Sequence, residues 1–64
     1  MTLDEAKAMY PVGTPVVCEN PDVDRPHVEG NVEFVTYGPI VVVRDHESQE
    51  LSSWHVSRGY ITKL

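Results

Sequence analysis

The chain is short of cysteine, of aromatic residues and of positive charge: it has one Cys, one Trp, one Phe and three Tyr in 64 residues, and five basic against ten acidic side chains. Each scarcity excludes something. The lone Cys18 rules out an internal disulfide. No apolar run approaches the length of a membrane helix and no charged-then-apolar leader is visible, so a cytoplasmic protein without membrane contact is expected. The shortage of basic residues argues against non-specific nucleic-acid binding, which depends on displacing counterions from phosphates. That shortage is uneven. Residues 1–50 hold all ten acids with only Lys7, Arg25 and Arg44, whereas residues 51–64 hold Arg58 and Lys63 and no acid. The length leaves room for a single domain, residues 1–64, with one small core. A buried catalytic cavity would consume core that such a chain needs, so a non-enzymatic binding role without a cofactor is expected.

What is present is organised around Val28–Asp45. Two runs rich in β-branched and aromatic residues flank Gly38-Pro39, the pattern of an antiparallel hairpin. Gly38 can take the positive φ of a tight primed turn, and Pro39 has no ladder N–H to lose there. Strict alternation puts Val32, Phe34 and Thr36 on one face and Glu33, Val35 and Tyr37 on the other. The Val32/Phe34 face is the expected core face.

Ahead of the hairpin, Thr2-Leu-Asp-Glu5 fits a capping box and predicts a helix from Leu3 to Met9, ended by Pro11. Gly13 and Pro15 lead into a first strand in which Val16 and Cys18 share a face. Residues 19–27, with two prolines, an asparagine and two aspartates, read as a long loop. After the hairpin, Asp45-His-Glu-Ser48 suits a type I turn, and Gln49–Ser53 returns as a strand with Leu51 inward. Trp54–Gly59 reads as a 3₁₀ turn closed by Gly59, and Tyr60–Leu64 as the final strand. Five short strands with apolar faces predict an all-β small barrel over residues 12–64, carrying the N-terminal helix of residues 1–10.

The spacing Gly13-x-x-Val16, Gly30-x-Val32, Ile40-Val-Val-Val43, and Leu51 followed by a short turn to Tyr60-Ile61 resembles the Src-homology-3-like (SH3-like) small barrels and their KOW and Tudor-like relatives. The resemblance covers residues 12–64. It implies a five-stranded SH3-like barrel with a 3₁₀ turn before the last strand, in a class that binds peptides, modified side chains or nucleic acids and is seldom enzymatic. The acidic-aromatic groove signature of proline-binding members is absent, and KOW-like members used on RNA are usually basic. In size and character the chain also resembles small phage-encoded or bacterial accessory proteins.

Candidate binding residues follow from charge and aromaticity. Asp22, Asp24 and Arg25 on the long loop, with Trp54 and Tyr37, make the expected surface for a protein partner, Trp54 standing first because Ser52, Ser53 and His55 surround it. Arg44, Arg58, Lys63 and Tyr60 are the set for the second-ranked partner, nucleic acid. Cys18, His27, His46 and His55 lack the close spacing of a local metal site, so no metal is expected. An unpaired Tyr60–Leu64 edge strand leaves room for a homodimer. The leading expectation is an adaptor or an inhibitor of a larger cellular machine, acting by protein–protein interaction.

Overall fold

The computed structural model describes residues 1–20 and 27–64. Within them the chain forms α1 (Leu3–Met9), β1 (Pro15–Glu19), β2 (His27–Thr36), β3 (Ile40–Asp45), β4 (Leu51–His55), a 3₁₀ turn (Val56–Arg58) and β5 (Ile61–Lys63). The five strands make one antiparallel sheet in the order β4-β3-β2-β1-β5. Strand β2 is its joint: His27–Asn31 pair with β1, and Gly30–Thr36 pair with β3. Gly30 sits where the two ladders overlap. A Cβ there would stand 2.1 Å from the Arg44 carbonyl oxygen, so the close approach of β3 requires glycine. Among the described residues no ladder joins β4 to β5; these are the two edges, and the expected barrel is not closed by hydrogen bonding.

The helix starts as its sequence dictates. Glu5 N–H donates to Thr2 Oγ1 at 3.2 Å, and Thr2 N–H donates to Glu5 Oε1 at 3.1 Å. The N–H of Thr2, and then its hydroxyl, hold the Glu5 carboxyl below its ordinary value of 4.5. Ala6 and Tyr10 bury against the sheet with Leu3 beside them. At the other end Lys63 Nζ donates to the Met9 carbonyl at 2.9 Å and lies 5.9 Å from the centre of the Tyr10 ring. A cation is thus placed where the helix dipole is negative.

The inner face of the sheet carries Val16, Cys18, Val28, Val32, Val35, Val41, Val43 and Trp54. Register explains the rows: Val35, Val41 and Trp54 lie opposite one another, as do Val32, Val43 and Ser52. Val16 and Cys18 share the inner face as their spacing predicts.

Several expectations are corrected. The β2–β3 register shifts between Val32, opposite Val43, and Phe34, opposite Val42, which leaves Glu33 as the extra residue of a β-bulge. Alternation therefore restarts. Phe34, expected in the core, is 46% exposed, and Val35 takes the inner position. Leu51, expected inward, pairs with Arg44 on the outer face and is 50% exposed. Trp54 and His55 belong to β4, so the 3₁₀ turn is shorter than expected, although Gly59 closes it with a φ of 71°. The hairpin loop has three residues, Tyr37, Gly38 and Pro39, between the paired Thr36 and Ile40; Gly38 has a φ of 152° and the Gly38–Pro39 peptide is cis. In the β3–β4 turn Asp45 Oδ1 accepts from the N–H groups of Glu47 and Ser48 at 2.7 and 3.2 Å. Among the described residues no helix is long and apolar enough to cross a membrane.

Candidate binding groove

A groove of about 470 Å³ is lined by every residue of β4, from Leu51 through His55, together with Val28, Asp45, Glu50, Arg58 and Tyr60. Side chains alternate across a strand, so a cavity over one face of β4 would meet only every second residue. Contact with five in succession means that the groove runs along the backbone edge.

Hydrogen bonding identifies which groups face it. Asp45 N–H donates to the Glu50 carbonyl at 2.9 Å and Val56 N–H donates to the Pro39 carbonyl at 3.1 Å. In an antiparallel ladder alternate residue pairs exchange such bonds. Even-numbered residues of β4 therefore bond to β3, and Leu51, Ser53 and His55 turn their N–H and C=O groups toward the groove. Trp54 stays on the inner face, 9% exposed, with Nε1 donating to Ser52 Oγ at 2.8 Å. Its indole is satisfied and packed, so it is core that also forms part of the groove lining. Charge is graded along the edge: Asp45 and Glu50 lie at the Leu51 end, and Arg58 follows the His55 end.

No family model, curated protein or solved structure matches this chain. The site is defined by its own geometry.

Of the sequence-predicted residues, the fold gathers Trp54, Arg58 and Tyr60 at this groove. Tyr37 lies elsewhere, 81% exposed in the β2–β3 loop. Asp22, Asp24 and Arg25, with most of the expected loop, lie outside the described residues; the ends of that segment, Glu19 and His27, are strand. Arg44 is held by Glu33 through Nε–Oε2 at 3.0 Å and Nη2–Oε1 at 3.1 Å, and Nη1 donates to the Gln49 carbonyl at 3.0 Å. This forked hydrogen bonding holds the Glu33 carboxyl below its ordinary value and raises the Arg44 guanidinium further. Lys63 is engaged at the end of α1. The three cations therefore do not form one basic surface.

The remaining candidates have structural partners. Cys18 is fully buried in β1, and burial pushes its thiol up to about 12, which leaves it a neutral core side chain. His27 Nδ1 lies 3.1 Å from Glu19, and Nε2 lies 3.7 Å from Glu29. His46 Nε2 contacts Asn31 Oδ1, while Asn31 Nδ2 donates to the Gly13 carbonyl at 2.8 Å. Among the described residues no three His, Cys, Asp or Glu side chains are grouped to hold a metal. A second cavity of about 680 Å³, beside Val17, Glu19, His27 and Leu64, includes Tyr60 alone of the predicted residues. Sequence reasoning missed Glu50, Ser53 and His55 as groove residues. The available signal was a mostly polar stretch, Leu51-Ser-Ser-Trp-His55.

Proposed function

We propose that this protein is a small non-enzymatic protein–protein interaction module, an adaptor or an inhibitor of a larger machine, working in the cytoplasm through the β4 groove. The observation that carries this reading is the groove itself: a strand edge with three residues' worth of outward backbone groups, flanked by Trp54, Tyr60 and Arg58. The finer fold assignment belongs to the same proposal. A sheet ordered β4-β3-β2-β1-β5, a long β2 shared by two ladders and a 3₁₀ turn before β5 support an SH3-like small barrel.

The test is affinity capture from cell lysate with the tagged protein, with and without nuclease, beside Arg58→Glu and Tyr60→Ala. A discrete protein retained after nuclease and lost with either variant is the expected result. Capture abolished by nuclease, with steep salt dependence, would replace this reading with a KOW-like nucleic-acid binder.

A further inference from the structure

We infer that the outer face of β2, β3 and β4, centred on Val42, is a self-association surface whose occupant is a second copy of this chain, related by a two-fold axis. This goes beyond the groove reading and does not rest on it. Val42 is 7% exposed and yet stands outside the core cluster, because Val41 and Val43 on either side of it take the inner face. Its cover comes from the outer side. Across the two ladders it lies opposite Phe34 and Ser53, and Ile40 and Arg44 flank it at the next outward positions of β3. Leu51, opposite Arg44, completes an apolar group of Phe34, Ile40, Val42 and Leu51, in which Phe34 and Leu51 are half-exposed.

The bulge builds this face. By adding Glu33 to β2 it turns Phe34 outward, so the only phenylalanine of a chain with a small core stands in solvent while Val35 fills the inner position. Leaving so large an apolar side chain outside forfeits burial, which points to use of the surface.

Charge selects the occupant. From the rung Asn31–Arg44–Leu51 to the rung Thr36–Ile40–His55, the outward residues include one acid, Glu33, and one base, Arg44, joined by two hydrogen bonds at 3.0 and 3.1 Å. The face is neutral, and the net charge of −5 belongs to the rest of the chain. An acidic or basic foreign partner finds no net charge to read here. Two copies of an acidic chain repel wherever carboxylates meet carboxylates, and this face lets them approach without that repulsion. A two-fold contact sets residue i against j and j against i, so a patch holding one Glu and one Arg side by side is complementary to itself. Size sets the strength. Three strands about 4.8 Å apart and about five residues long span much less than the roughly 800 Å² per partner of a standard interface, so the dimer is weak.

The experiment is sedimentation equilibrium of the full chain from about 10 µM to about 1 mM, with amide shifts followed over the same dilution. The expected result is mainly monomer at the low end and mainly dimer at the high end, with shift changes centred on Phe34 and Val42. Phe34→Lys adds a positive charge to each of the two facing patches and should raise the dimer dissociation constant at least about tenfold, as should Phe34→Ser. Val12→Ser removes an exposed apolar side chain between α1 and β1 and should leave it unchanged. A monomer mass up to about 1 mM would overturn the proposal. So would shifts centred on the Leu51–His55 or Ile61–Lys63 edge, which would mean dimerisation by strand pairing, or a dimer that Val12→Ser weakens as much as Phe34→Ser does. The dilution series on the native chain decides alone if neither Phe34 variant folds.

Discussion

The two edges of the sheet are protected to different degrees. Strand β5 has three residues and carries Lys63. Strand β4 has five residues, none of them Lys, Arg, Asp, Glu or Pro. Short length and lysine are devices by which sheets discourage addition at an edge, and β4 lacks both. The difference teaches where to look for binding: at the edge left without such protection.

Four substitutions or measurements break or sharpen that contrast. The largest effect belongs to the joint that holds both edges in one sheet. Gly30→Ala forces a Cβ onto the Arg44 carbonyl and should cost about 3 kcal/mol or more, read as a fall in the urea midpoint. Less drastic is a labelling test of the strand that supports β5. Buried, un-ionised Cys18 should react with a thiol reagent near neutral pH at least about a hundredfold more slowly than in urea-unfolded chain, because reaction waits on opening. Rapid labelling under native conditions would mean that β1 and β5 separate easily. Lys63→Ala removes the cation from the end of α1 and should lower stability by about 1 kcal/mol, measured by thermal denaturation, without changing binding at β4.

The smallest effect is a pH slope on the outer face beside β4. The Glu33 carboxyl is lowered in the folded state by Arg44, so its contribution is present above the ordinary value of 4.5 and is lost as pH falls through the folded value. Glu33→Gln should therefore show a shallower loss of stability below pH 4.5 than the native chain. Identical acid titrations of stability would remove this pair from the account.

The sequence announced the helix fully, because a capping box and a following proline are local signals that packing had no reason to override. Strand positions were also legible, since runs such as Ile40–Val43 have few alternatives in so small a chain. Facing was less so. Alternation counts residues, and the bulge at Glu33 adds one that no composition signal marks, which exchanges Phe34 for Val35 in the core. At β4 the apolar Leu51 suggested an inward position, yet register assigned the inside to Ser52 and Trp54, with the serine serving as acceptor for the indole N–H. The groove was half legible: its aromatic and cationic members stood out by type, whereas its backbone groups belong to the order of strands and have no sequence signature.

The Lys63–Met9 hydrogen bond joins positions separated by 54 residues in the chain. Contacts of such high sequence separation form only after a long loop has closed, so folding must first bring β5 alongside β1. The helix, too short to persist alone in water, gains its last fixed carbonyl only then. Release of the latch would in turn expose two distant segments in one event. Amide hydrogens near Tyr10 and near Lys63 should accordingly exchange with solvent at matched rates, as one cooperative unit drawn from opposite ends of the chain.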